Sequence, residues 1–318
     1  MKETFIINKY FKPLSKNYQE ALNFADDAAV LKIFKKNNLV ISVDNFIYGV
    51  HCPEYINISN GVNRAILSAI SDLSAMAAKP HCIFISITLD KNNISKKLFK
   101  DLKLGIDKAL KSTKTFLAGG DLCSSSKSLS FSVTVIGEGL KKDLLYRSGA
   151  KPNELLCVTG HIGDAKIGLE ILLKNKKESQ NLKKNYFIKK FLNPPLRNDF
   201  IRMISCKVSS CIDISDGLIF DSSKLALNSK CGLKINSSKI PISLKAKEKL
   251  RKKYFSLTDI INAGDDYELA FSVNEKNLDY VKKIANIKKV KVSVVGKFTK
   301  DKKILLDNEF FSEGYSHF

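Results

Sequence analysis

The chain has no tryptophan, three methionines and four histidines in 318 residues. Its seven cysteines (Cys52, Cys82, Cys123, Cys157, Cys206, Cys211 and Cys231) form no CxxC pair and are odd in number. With so few histidines beside them, no zinc-ligand spacing can be assembled. Several sit in apolar runs such as CIFISI and ELLCVTG, where a thiol behaves as a small hydrophobe, so reduced cytosolic thiols are expected. No uncharged apolar run nears the roughly 18–20 residues that span a bilayer. The stretch MKETFIINKYF lacks the apolar h-region and small-residue cleavage site of a signal peptide. The expectation is a soluble, cytoplasmic protein with no membrane partner.

Glycine-rich phosphate cradles are missing too. There is no GxxxxGK[ST] and no GxGxxG, and neither HRD nor DFG occurs, so P-loop, dinucleotide-binding and protein-kinase architectures are unsupported. Arginine is scarce: Arg64, Arg147, Arg197, Arg202 and Arg251 are the only five among 53 basic residues, leaving 53 − 5 = 48 lysines. The formal net charge is 53 − 32 = +21, with a pI near 9.5. Base-edge and phosphate readers favour the planar fork of Arg. Here the lysines spread along the whole chain, with no basic tail and no basic–aromatic repeat, so the charge reads as compositional bias. A basic nucleic-acid-binding protein is the alternative from a different class, and steep salt dependence of DNA retention would reveal it.

What is present is an ordinary globular balance, 44% hydrophobic and 27% charged, at a length that suggests two domains. Strand patterns alternate with helix patterns. LVISVD (39–44), CIFISITL (82–89), TFLAGG (115–120) and SLSFSVTVIGEG (128–139) read as strands, with helices expected over 62–78 and 94–111. In the second half, ELLCVTG, CIDISDG, CGLKINSS, AGDDYELAFSV and VKVSVVGKF read as strands. Helices are expected near 163–174, 186–192 and 217–228. YRSGAKPNE (146–154) carries Gly, Pro and Asn between strand patterns, which sets the domains at 1–147 and 148–318. The alternation defines an α/β or α+β class.

Aspartate carries the chemistry. It recurs at strand ends or beside small residues in FADDAAV, VISVDNF, ISDLSAM, AGGDL, CIDISDG and AGDDYEL. One such Asp would serve as an N-cap or turn residue. Six contexts of this kind suggest a site for hard cations, which prefer oxygen ligands. Magnesium shared between carboxylates and substrate phosphates would suit transfer between two phosphate-bearing molecules. On the helix holding Asp72, the small Ala65, Ser68 and Ala69, with Met76, share its face and would let a ligand approach. Ile66, Ile70, Leu73 and Ala77 would face a core.

Taken together, FADDAAVL, ISVDNFIYGVH, SDLSAMAAKP, GGD, YRSGAKPNELLCVTGHIGDA, IDISDGLIFD, CGLKI, GDDYEL and EGYSHF resemble, in order and over nearly the whole chain, the thiamine-monophosphate kinase family. That family belongs to the superfamily of aminoimidazole ribonucleotide synthetase and selenophosphate synthetase. The resemblance implies a two-domain fold: an N-terminal sheet domain that dimerises with ATP at the dimer interface, and a C-terminal α+β domain. It implies transfer of the ATP γ-phosphate to thiamine monophosphate, with several Mg²⁺ ions, no general base and a homodimer as the acting species. Metal ligands would fall on Asp27, Ser42, Asp44, Asp72, Asp121, Asp213 and Asp216, with Val43 contributing only its carbonyl. ATP would meet Gly120, Asp121, Arg147 and Ser215. Thiamine monophosphate would be read by His51, Asp265 and Tyr315. The chain departs from the family pattern at Phe24-Ala25, at Leu122-Cys123 after GGD, and at Asp265, where Glu is usual. A cyclo-ligase of the same superfamily is the enzymatic alternative, against which GDDYEL and the YSHF ending speak. A selenophosphate synthetase would need an N-terminal reactive Cys, whereas the first here is Cys52.

Overall fold

Strand β1 (Asn38–Ile47) alternates strictly, with Val40 and Phe46 buried and Leu39, Ile41, Val43 and Ile47 exposed. Such alternation belongs to a strand with one face against a core and the other open. The computed structural model describes residues 3–16, 18–20, 31, 37–126, 129–174, 185–307 and 309–310. Its chain forms two compact units, the first containing described residues up to 73 and 79–141, the second 74–78, 142–174 and 185–310.

The first unit is a four-stranded sheet in the order β1-β4-β2-β3, with β2 (Lys79–Asp90), β3 (Phe116–Ser125) and β4 (Ser130–Gly139). Only the β2–β3 pair is parallel. The crossover between them contains helix α2 (Lys96–Thr113), which follows α1 (Ile58–Ala75) in the chain. Ser95 caps α2 by accepting the Leu98 N–H, and Lys114 ends it in the left-handed conformation. The two helices pack closely: a Cβ on Gly105 of α2 would lie 2.3 Å from the Ser59 carbonyl of α1.

Helix α1 departs from the two-faced helix expected from sequence. It begins at Ile58 rather than 62, and every residue from Gly61 to Ala75 is buried except Asp72. Ser68, instead of opening a path for a ligand, turns its hydroxyl onto the Ala65 carbonyl at 2.9 Å. Strand β3 also runs past its expected end at 120, because Asp121 to Ser125 keep pairing with β2.

The second unit is a seven-stranded sheet in the order β11-β10-β7-β9-β5-β8-β6. Its strands are β5 (Leu155–Thr159), β6 (Val208–Asp213), β7 (Gly232–Ile235), β8 (Leu269–Val273), β9 (Val292–Thr299), β10 (Ile304–Leu306) and β11 (Glu309–Phe310). Its helices are α3 (Asp164–Lys174), α4 (Tyr186–Leu192), α5 (Asn198–Ile204), α6 (Leu218–Asn228), α7 (Leu244–Arg251), α8 (Leu257–Ile261) and α9 (Leu278–Lys288). Successive residues of the inner strands feed opposite cores. Leu156, Val158 and Ile212 pack with residues of α3, α6 and α8, while Cys157, Cys211 and Phe271 pack with α5 and α9. Both faces of a mostly antiparallel sheet are therefore covered, and this alternation is the reason each strand holds one register. The expected strand over AGDDYELAFSV shrinks to Leu269–Val273, because Asp265 and Tyr267 take positive φ values of 75° and 50° that no strand accommodates.

Candidate active site

The alternation of β1 places Ser42 and Asp44 on the helix-covered face of its sheet, where Asp72 is the one residue of the buried part of α1 that reaches out. The Ser42 hydroxyl donates to Asp72 Oδ2. Burial, and secondarily the charge of Asp72, push the Asp44 carboxyl up to about 6. Two carboxylates and a hydroxyl held this way form an oxygen-only donor set, which suits a hard cation such as Mg²⁺. A cation there would relieve the repulsion that raises Asp44. Val43, between the two, turns its side chain to the open face, so only its backbone could join them. Asp27 lies outside the described residues. Among the described residues no group of three or more His, Cys, Asp and Glu side chains is arranged to hold a metal.

Asp121 does not join this pair within the unit. Asp44, Val133, Ile85 and Gly120 form one row across the four strands, and Asn45, Ser132, Ser86 and Asp121 form the next. Asp121 therefore lies on the opposite face, on the far edge strand, three strand spacings or roughly 14 Å away. Gly120 has a packing reason of its own: a Cβ there would sit 2.0 Å from the Ile85 carbonyl. His51 stands in the turn after β1, where its Nδ1 accepts the Ile47 N–H at 2.9 Å and its ring stacks on Phe46. That bond puts the ring proton of the neutral imidazole on Nε2.

In the second unit Asp213 ends β6 and is buried, and the DISDG turn carries Ser215 and Asp216 to the start of α6. The turn is pinned by Asp221, whose Oδ2 accepts the N–H groups of Ser215 (3.0 Å) and Asp216 (2.8 Å). Asp265 lies alongside: its N–H donates to the Ser215 carbonyl at 3.0 Å, and a Cβ on Gly264 would come within 1.9 Å of the same oxygen. Arg147 is exposed and makes no ion pair with any described residue. Tyr315 lies outside the described residues. Ser215, Asp216 and Asp265 are thus brought together, with Asp213 at the end of the strand that feeds their turn.

The residues that hold Asp265 are ones the sequence reading does not single out. Asp266 is buried and accepts the N–H of Gly163, at the start of α3, at 2.8 Å. Burial pushes its carboxyl well above the usual range, against the effect of the Gly163 bond, with Glu268 and Asp164 adding to the rise. Glu268 takes both forks of Arg197 at 2.6 Å and the Thr159 hydroxyl at 2.6 Å. Gly160 must stay bare, since its Cβ would overlap the Glu268 carboxylate at 1.8 Å. Asp164 in turn accepts Tyr186 and Ser243 hydroxyls. The signal was in the text of the chain: GHIGDA, PPLRND and DDYEL each place a charge beside glycine, proline or a strand start.

Carboxylates at strand ends on two α/β units define a class. The AIR synthase related protein family matches the chain with its N-terminal domain over residues 25–139 and its C-terminal domain over residues 151–307. A thiamine-monophosphate kinase of Buchnera aphidicola subsp. Schizaphis graminum is 35% identical over 322 residues, covering 98% of each chain. The crystal structure of thiamine-monophosphate kinase from Stenotrophomonas maltophilia superposes with a TM-score of 0.87 at 23% identity, covering 97% of this chain and 98% of that one. A structure of AaThiL complexed with AMPPCP and TMP has a TM-score of 0.78 at 25% identity, over 92% and 91% of the two chains. The chain belongs to the thiamine-monophosphate kinase family.

Proposed function

We propose that this chain transfers the γ-phosphate of ATP directly to thiamine monophosphate, giving thiamine diphosphate and ADP. The observation that carries the reading is the Ser42–Asp44–Asp72 cluster, an oxygen-only donor set under charge repulsion, within a chain related over its full length to kinases of that substrate. Bound Mg²⁺ would supply charge neutralisation for the phosphates of both substrates. Asp27, Ser42, Asp44, Asp72 and Asp121, with the Val43 carbonyl, are the metal residues of the first unit, and in the second unit Asp213 and Asp216 stand at the metal–nucleotide site. Gly120, Asp121, Arg147 and Ser215 position ATP. The acceptor is a phosphate already ionised at neutral pH, so no base is required, and positioning is the main task of the protein. His51, Asp265 and Tyr315 hold the acceptor: a carboxylate and an aromatic ring suit a cationic thiazolium.

The acting species in this reading is a cytoplasmic homodimer. Ile41, Val43 and Ile47 leave an apolar row on the open face of the first sheet, the face that also carries Asp121. Exposed apolar surface of this kind marks a contact, and a second copy seated there would bring Asp121 into the shared space. Light scattering is expected to give twice the 35.5 kDa chain mass, falling to one chain mass in Ile41→Glu. A wild-type chain that is monomeric would remove the dimer from the reading.

The test of activity is chromatography or ³¹P NMR on the purified chain with ATP, Mg²⁺ and thiamine monophosphate. Magnesium-dependent thiamine diphosphate and ADP are the expected products. ATP binding without product would mean a wrong acceptor, and formylglycinamidine ribonucleotide, the acceptor of the cyclo-ligase alternative, would be tried next.

A further inference from the structure

Lys224 lies on α6, one turn beyond Asp221. Its Nζ is 2.7 Å from Asp216 Oδ2 and 2.8 Å from Asp221 Oδ1, and it sits 4.3 Å from the centroid of the Phe220 ring. Two ion pairs and a cation–π contact hold one ammonium, so this lysine is fixed where most of the 48 are solvated. Asp221 is fully buried, and its other oxygen is spent on the N–H groups of Ser215 and Asp216. A buried carboxylate in that position needs a positive charge beside it, and Lys224 is its partner.

The consequence falls on Asp216. One of its two carboxylate oxygens, Oδ2, already faces an ammonium at hydrogen-bond distance. We propose that Lys224 is a tethered cation at Asp216, taking the place of a magnesium ion and leaving Asp213 as the metal-ligating carboxylate of the second unit. The proposal rests on the reading of Asp213 and Asp216 as residues of a metal–nucleotide site. It gives Lys224 a part in the charge balance around the phosphates that no free ion has: it is present at every turnover and does not depart with the product. The hold is also geometric. Lys224 joins the side chain of Asp216 to the residue that pins the DISDG backbone, so Ser215 and Asp216 are presented as one unit.

The experiment counts Mn²⁺ bound per chain by electron paramagnetic resonance, with saturating AMPPCP, in the full-length protein. Lys224→Gln is expected to bind one Mn²⁺ more than wild type, and Lys224→Arg the same number as wild type. Asp216→Asn in the otherwise unchanged chain should leave the count as it is, and in the Lys224→Gln background it should remove the added ion. Equal counts in wild type and Lys224→Gln overturn the proposal. So does loss of an ion in Asp216→Asn alone, since Asp216 would then be holding metal with Lys224 swung away. Should Lys224→Gln fail to fold by circular dichroism, Asp216→Asn alone decides. If no variant binds Mn²⁺ while AMPPCP still binds, the metal reading falls first and the tethered cation with it.

Discussion

Replacing Asp44 with Asn is expected to stabilise the metal-free protein and, in the same stroke, to abolish phosphoryl transfer. Burial and the neighbouring Asp72 raise the Asp44 carboxyl from 3.8 to about 6 in the folded chain. A group whose folded pKa lies above its unfolded value binds its proton more tightly when folded. Its cost is therefore absent below pH 4, grows as pH rises through about 6, and is complete above that. A shift of about two units corresponds to about 3 kcal/mol at neutral pH, since each unit is 1.36 kcal/mol. In EDTA at pH 7.5, Asp44→Asn removes that cost, and Tm should rise by roughly 5 °C. The fall in stability of the wild type between pH 4 and 7 should flatten in the variant. Turnover, by contrast, should drop roughly a thousandfold, because a metal-held charge contributes several kcal/mol to the transition state. Thermal scans across pH with initial-rate assays check both halves. Undiminished turnover would remove Asp44 from the metal site, and an unchanged Tm in EDTA would remove the buried charge.

Arg197→Met is expected to be the most destabilising single change in the second unit. It leaves the Glu268 carboxylate buried with the Thr159 hydroxyl as its remaining close partner. Stripping one member from a buried ion pair costs about 3–5 kcal/mol, or roughly 5–8 °C in Tm. Arg197→Lys should rescue little, since a point charge cannot reproduce the two parallel bonds of the guanidinium. Adding Glu268→Gln to Arg197→Met should recover part of the loss, because it removes the stranded charge. The damage should also reach the substrate. Glu268 and Asp266 anchor the loop on which Asp265 sits, so KM for thiamine monophosphate should rise more than KM for ATP. A Tm within 2 °C of wild type would show that the pair contributes no net stability.

How much of this was legible in the sequence differs between elements. The main strands of both units and helices such as Tyr186–Leu192 follow from periodicity, because their burial is one-sided or continuous and leaves a plain pattern. Helix α1 misleads: Ala65, Ser68 and Ala69, read as a small face that a ligand could approach, are all buried. Ser68 is satisfied inside the helix by the Ala65 carbonyl, and the burial of its neighbours depends on packing that no local pattern records. The AGDDYEL stretch misleads for another reason. Its alternating character imitates a strand, while Asp266 and Glu268 are turned inward by Gly163 and Arg197, over 60 residues away in sequence. The aspartates themselves were legible as a set, but their grouping was not. Register decides that Asp44 meets Asp72 and that Asp121 looks the other way, and register is a property of strand pairing across the sheet. Lys224 reads as one more surface lysine until its distances to Asp216 and Asp221 are known.

The burial of α1 on every side has a dynamic consequence. A helix with one wet face can roll or slide by small amounts as a ligand arrives, exchanging one set of contacts for water. From Gly61 to Ala75 this helix has no such face, so rolling it would drag apolar side chains out of close packing. Segments sheathed in this way open only with the whole fold. Asp72 therefore keeps one bearing toward Ser42 and Asp44. Any local rearrangement around this carboxylate must be made by chain other than the helix that carries it.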